Sequence, residues 1–319
     1  ATLANGCGLR GMRRLRPIAR MLRLPFLPGL FNHLGADQPI EPRPRRHEAR
    51  IDVLIPQVRL ALAVGAFATW IGFDRSRAEP EAMSEPDRQL SGNPHKAGAG
   101  QIKASIVFRG PNAAAHMLGS THSQAFEPFY AHIPGLKVVA VATPYDAKGL
   151  LKSAIRDDNP VVFLEAELMY SVKGEVPDEE YTIPIGKADI KREGKHVTLI
   201  TWGQAVPISL KTAELAAKEG IEVEVIDLRT LRPLDTDAVL ASVMKTNRAV
   251  VMFHGWPYGG VGCEVIARIQ ELAFDHLDAP VLRECYEDVP FPYAENLEHL
   301  CLPTPEKGLA AVKKVLYKR

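Results

Sequence analysis

A chain of 319 residues is longer than a single compact core usually supports, so two domains are expected. Hydrophobic residues make up 46% and charged residues 24%, the proportions of a soluble globular protein. A formal net charge of +1 gives no whole-chain attraction to nucleic acid or to an acidic membrane as partner.

The first stretch differs in kind from the rest. Residues 1–95 hold fourteen Arg and no Lys, and the first acidic residue is Asp37. An Arg-rich, acid-poor beginning resembles an organellar transit peptide, yet the bias runs far past the length of one. Three readings compete: a genuine basic extension, a divergent but folded segment, or a coding sequence read out of frame. Residues 1–50 are expected to pack poorly, since like charges cluster and apolar periodicity is weak. The most apolar run, 58–73, carries Arg59 and is too short for a membrane span.

From Lys103 the pattern becomes regular. Strands are expected over 105–108, 137–141 and 161–164, with a helix over 145–157 between the last two, Asp146 suiting its dipole. The polar stretch 171–196 reads as a linker. After it come a strand at 197–201, a helix at 205–219 stopped by Gly220, and a strand at 222–226. A helix at 235–245, a strand at 249–252 and a helix at 262–277 follow. A strand at 280–283 and a closing helix at 305–317 complete the series. Such alternation predicts an α/β fold with parallel sheets covered by helices on both faces. The expected division is a basic segment 1–50, one domain over 51–185 and a second over 186–319.

Several residues could carry chemistry. His122 lies in Thr121-His122-Ser123-Gln124, where a strand-to-helix connection is expected, and suits a proton donor at the mouth of a site or a plain turn histidine. Arg109-Gly110-Pro111-Asn112 follows a strand, where loops often line ligand crevices. The run Gly255-Trp256-Pro257-Tyr258-Gly259-Gly260-Val261-Gly262 opens a helix but lacks the order of a phosphate-binding loop. Asp157-Asp158-Asn159 could offer oxygens to a cation or simply close a helix. Glu165 and Glu167 sit on one face of an extended segment with no evident third partner. The cysteines at 7, 263, 285 and 301 have no metal-ligand spacing and read as free thiols in a reducing compartment.

Longer phrases carry a resemblance. Ile106-Val107-Phe108-Arg109-Gly110-Pro111-Asn112, Ile133-Pro134-Gly135-Leu136-Lys137-Val138-Val139 and Val225-Ile226-Asp227-Leu228-Arg229-Thr230-Leu231-Arg232-Pro233 follow one another as in one family. With Gly255-Trp256-Pro257 and Asp288-Val289-Pro290 they make the chain, from about Gly98, resemble the β subunits of thiamine-diphosphate-dependent 2-oxo acid dehydrogenases of the pyruvate dehydrogenase type. The resemblance implies a transketolase-like architecture, a pyrimidine-binding domain followed by a transketolase C-terminal domain. It also implies an α2β2 heterotetramer with an α subunit, thiamine diphosphate shared between them, and Mg²⁺ on the α subunit. The acyl group would pass to lipoyl groups on a dihydrolipoyl acyltransferase core. The host compartment would be a bacterial cytoplasm or a mitochondrial matrix. Acetoin and branched-chain 2-oxo acids are alternative substrates.

Site residues follow from the same resemblance. His122 matches the family histidine near the reaction centre. Ile106, Ala154, Ile155, Asp157 and Asn159 match a structural K⁺ site made largely of backbone carbonyls. The family's cofactor-activating Glu falls on Gln57, and its following Phe-rich stretch is missing. These two departures favour a non-catalytic homologue as the competing reading. A family Gly is replaced here by Ala113.

Overall fold

The computed structural model describes residues 105–318. Gln57 and the whole basic segment lie outside these residues, as do the expectations made for them. Nine strands form two sheets. β1 (Val107–Pro111), β2 (Lys137–Ala140), β3 (Val161–Glu165) and β7 (Thr230–Arg232) make one, in the order β1-β3-β2-β7. β4 (Asp189–Arg192), β5 (Val197–Thr201), β6 (Val223–Asp227), β8 (Ala249–Met252) and β9 (Leu282–Glu284) make the other, in the order β4-β6-β5-β8-β9.

Most neighbours are parallel, as the alternation of strand and helix requires, because a parallel return needs a crossover. The two exceptions correct the expectation of purely parallel sheets. β7 runs antiparallel to β2, and β4 runs antiparallel to β6. β4 also lies inside the stretch read as a linker. Its sequence, Asp-Ile-Lys-Arg, carries too little apolar character to announce a strand, and pairing with β6 supplies what the pattern lacks.

The helices are α1 (Gly119–His122), α2 (Glu127–Ala131), α3 (Pro144–Ile155), α4 (Ala205–Lys218), α5 (Thr236–Thr246), α6 (Val261–Ala273), α7 (Glu295–Cys301) and α8 (Pro305–Val315). α1, α2 and α7 were not anticipated, being too short to show a period. Three of the longer ones begin where side chains cap them: Thr143, Asp235 and Thr304 each accept a hydrogen bond from a first-turn amide.

Strand alternation assigns each side chain to one of two layers. In β5, β6 and β8, Leu199, Val225 and Val250 face α4 and α8, while Ile200, Ile226 and Val251 face the opposite way. Those three meet Val138, Ala140 and Val162 of the first sheet in one common core. On the far side of the first sheet, Val139 and Phe163 pack against Leu150 of α3.

A buried ion cluster ties the halves together. Asp146, on the first turn of α3, is fully covered. It accepts from Thr143 Oγ1 at 2.6 Å, Lys191 Nζ at 2.6 Å and Arg229 Nη1 at 3.1 Å. Arg229 also donates to the carbonyls of Lys187 and Ala188, and Lys191 pairs with Asp189 at 2.7 Å. Burial pushes the Asp146 carboxyl up, but the hydrogen bonds from Lys191, Thr143 and Arg229 outweigh it and hold it below the usual range. Asp227 is driven the other way: burial lifts it to about 7, and only Lys191 and Arg229 oppose the rise.

Asp146→Ala strands two buried cations, so urea unfolding of the full chain should show a loss of about 3–5 kcal/mol at neutral pH. The sign with pH follows from the depressed carboxyl. Its contribution is present above the unfolded value near about 4 and is lost as pH falls through the folded one. The gap between variant and wild type should therefore close in acid.

Candidate functional site

Five parallel strands, three from the first sheet and two from the second, end at one crevice. Asn112 follows β1, Glu165 ends β3, Trp202 and Gln204 follow β5, His254 follows β8, and Glu127 reaches in from α2. The carboxyl edge of a parallel sheet is where such crevices form, since crossover loops part there.

Each member is held by backbone. The Asn112 amide donates to Glu165 O at 2.6 Å, and its side-chain Oδ1 accepts from Phe126 N at 2.7 Å, fixing the start of α2. That places Glu127 in the interior, 4% exposed. Burial lifts its carboxyl to about 7, against its own backbone N–H, the Asn112 amide and the Trp202 indole. The Asn112 amide and the Trp202 indole lower it as hydrogen-bond donors, although neither Trp202 Nε1 nor Glu127 Oε2 meets full hydrogen-bond geometry. The Trp202 ring stacks on Phe253 at 5.0 Å.

His254 is 5% exposed, and burial drives it down to about 3, leaving a neutral imidazole. Gln204 Nε2 lies 2.9 Å from Ala114 O and 2.6 Å from His254 Nδ1. A carbonyl only accepts, which fixes the amide orientation, and an amide NH₂ only donates, which makes His254 Nδ1 an acceptor. The imidazole proton therefore sits on Nε2. Tyr286 OH, 3.1 Å from His254 Nδ1, accepts from Ala114 N at 2.9 Å.

The residues singled out from sequence fall in three places. His122 ends α1 on the exposed surface, its Nδ1 2.9 Å from Thr121 Oγ1, and does not line the crevice. Ile106, Ala154, Ile155, Asp157 and Asn159 gather at the opposite end of the first sheet. There Ile106 O accepts from Val161 N, Ala154 O accepts from Asp157 N, and Asp157 Oδ1 accepts from both Asn159 N and Nδ2. Lys137 pairs with Asp157 Oδ2, and Asn159 Oδ1 is buried without a hydrogen-bond partner.

Two further local features take structural roles. Glu165 and Glu167 do not act as a pair: Glu165 meets Arg109 at 2.6 Å and Tyr170 OH at 2.8 Å, while Glu167 opens a separate 3-10 turn. Beside this carboxylate the Tyr170 phenol is lifted to about 12, mainly by desolvation. In the first turn of α6, a Cβ on Gly262 would meet the Phe253 ring at 2.4 Å. That glycine answers to packing. Trp202, Gln204, His254 and Glu127 were missed; the available signal was their position just beyond a strand or at a helix start.

Comparison with known proteins agrees with this frame. Residues 94–173 match the transketolase pyrimidine binding domain and 186–307 the transketolase C-terminal domain. The β subunit of the pyruvate dehydrogenase E1 component from Rickettsia felis is 48% identical over 223 residues, covering 70% of this chain and 68% of its own. The chain belongs to the pyruvate dehydrogenase E1 β-subunit family. The Rhizobium meliloti member is 50% identical over 220 residues, 69% of this chain and 48% of that one. The rat mitochondrial member is 52% identical over 223 residues, 68% of this chain and 62% of that one. The chain thus spans about half the length of the first of these and under two thirds of the second. Family members occur in bacteria and in mitochondria. A solved split-gene transketolase, an inactive β4 tetramer, shares the fold, with a TM-score of 0.57, 24% identity and 68% coverage of both chains. Among the described residues no helix is long and apolar enough to cross a membrane.

Membership also makes sense of Ala113. Its φ is +70°, a left-handed conformation that costs an L-residue roughly 1–2 kcal/mol and a glycine almost nothing. Ala113→Gly should raise the unfolding free energy by about 1 kcal/mol, read by chemical denaturation. Glu127 yields a pH test. Its folded carboxyl is raised, so its stabilising share is whole below the unfolded value and disappears as pH climbs through about 7. From pH 4.5 to 8, Glu127→Gln should gain about 3 kcal/mol relative to wild type. Parallel stability curves for the two proteins would refute the buried titration.

Proposed function

We propose that this chain works as the β subunit of a pyruvate dehydrogenase, paired with an α subunit in an α2β2 assembly. The observation that carries the reading is identity near 50% over about 220 residues to proteins bearing that name, spread across both sheet-bearing halves. Thiamine diphosphate, held with Mg²⁺ on the α subunit, supplies the carbanion-stabilising chemistry when bound. Its pyrimidine would lie against the β subunit. The acyl group would then pass to lipoyl groups on a dihydrolipoyl acyltransferase core.

His122 fits a site completed by a second subunit, because its ring stands at the open end of α1. There it would hold or give a proton to the reacting group. The K⁺ site is supported by the oxygen character of its surroundings: the buried, unpartnered Asn159 Oδ1 and the nearby carbonyls suit a hard cation. Lys137 already neutralises Asp157 from one side, so the ion's part would be to gather carbonyls. Pyruvate is favoured over acetoin or a branched-chain acid by the names of the relatives, and the compartment would be a bacterial cytoplasm or a mitochondrial matrix.

Gln57 favours a second reading, a structural homologue that assembles without turning over. An amide cannot exchange the proton that the family's Glu does, and losing such a partner costs roughly 10²–10⁴-fold. The chain mixed with a competent α subunit should assemble but decarboxylate pyruvate slowly, followed with an artificial electron acceptor. Gln57→Glu should raise the rate, and that rate should fall again in Gln57→Glu combined with His122→Ala. Full activity from the unaltered chain would overturn the placement of the activating Glu on Gln57. An unchanged rate on losing His122 would return it to a turn histidine.

A further inference from the structure

Four buried polar atoms face the same crevice without a hydrogen-bond partner: Glu127 Oε2, Trp202 Nε1, Gln204 Oε1 and His254 Nε2. They come from three separate segments of chain, the start of α2 in the first sheet's half and the turns after β5 and β8 in the second's. Buried polar atoms are almost always satisfied, and leaving four unsatisfied side by side would be a heavy burden for a marginally stable fold.

The chemistry of the four is complementary to one small molecule. Trp202 Nε1 carries a hydrogen and can only donate. His254 Nε2 carries the imidazole proton, because Nδ1 accepts from Gln204, and so it donates as well. Gln204 Oε1 can only accept, since its Nε2 is fixed by the Ala114 carbonyl. Glu127 Oε2 accepts, either as a carboxylate or as the carbonyl oxygen of a carboxylic acid. Two donors and two acceptors are the full tetrahedral complement of a single water. The cavity measures about 10 Å³, room for one water-sized molecule.

We infer that this crevice is a built water site, in which one ordered water accepts from Trp202 and His254, donates to Gln204 and Glu127, and so joins the carboxyl edges of the two sheets. The remaining wall is apolar or already satisfied. Ala140, Val141 and Leu164 offer no polar side-chain atom, and Glu165 is taken by Arg109 and Tyr170. The charged and titratable groups facing Glu127 are thus Glu165 with its Arg109 from the first sheet, and neutral His254 with Tyr286 from the second. Among the described residues no cation lines the crevice beside Glu127, and a water can complete what the Asn112 and Trp202 side chains leave open.

The test is a high-resolution crystal structure of the full chain. The expected result is a single water peak within hydrogen-bond reach of at least three of the four atoms. Direct bonding among the four side chains with no peak between them would overturn the inference, as would a larger ordered solute. In solution, oxygen-17 relaxation dispersion counts waters that stay longer than bulk exchange. Gln204→Leu removes the acceptor and puts methyl groups in the crevice, so it should hold at least one fewer such water than wild type. An equal count in the two proteins would also overturn it. The crystal measurement uses the unaltered chain and stands even if the variant does not fold.

Discussion

Two sheets whose strands are apolar on both faces cannot each be covered by their own few helices, and sharing one face solves the problem for both. Ile200, Ile226 and Val251 from one sheet and Val138, Ala140 and Val162 from the other fill that common layer. Everything else in the described region follows from it. Once the sheets share a core, the polar backbone and charged groups at their edges are trapped between them and must be paired there.

The ion cluster around Asp146 and the polar crevice around Glu127 are two answers to that demand. In the first, opposite charges meet directly: Lys191 and Arg229 from the second half close on a carboxylate from the first. In the second, net charge is avoided. Burial keeps His254 neutral and lifts Glu127 toward protonation at physiological pH. Low dielectric makes both arrangements costly to break, because the partner left behind cannot be rehydrated. Asp227 lies near the first cluster yet is lifted as Glu127 is, since Lys191 approaches its Oδ2 only to 3.8 Å.

The candidate site is divided by the same geometry. The crevice lies where the strands of both sheets end, which places it inside the chain. His122 lies outside, on a four-residue helix open to solvent, where a second subunit can reach it. The residues from Ala154 to Asn159 lie at the other end of the first sheet, where they serve the turn from α3 into β3.

Strand and helix periodicity by itself determined the order of the long elements, because each buries one stripe or two faces and must repeat accordingly. Family phrases marked His122 and the residues from Ile106 to Asn159, since those depend on short, contiguous runs. Asp146 was legible as a helix-start residue and nothing more. That it receives Lys191 and Arg229 was decided only when β4 and the segment after β6 came beside α3, forty-five and eighty-three positions along the chain. The strands β4 and β7 were likewise settled by their partners, because edge strands need neighbours more than pattern. Glu127, Trp202, Gln204 and His254 share no motif and no spacing. Three separate segments, the start of α2 and the turns after β5 and β8, bring them together, and burial there sets which of them carries a proton.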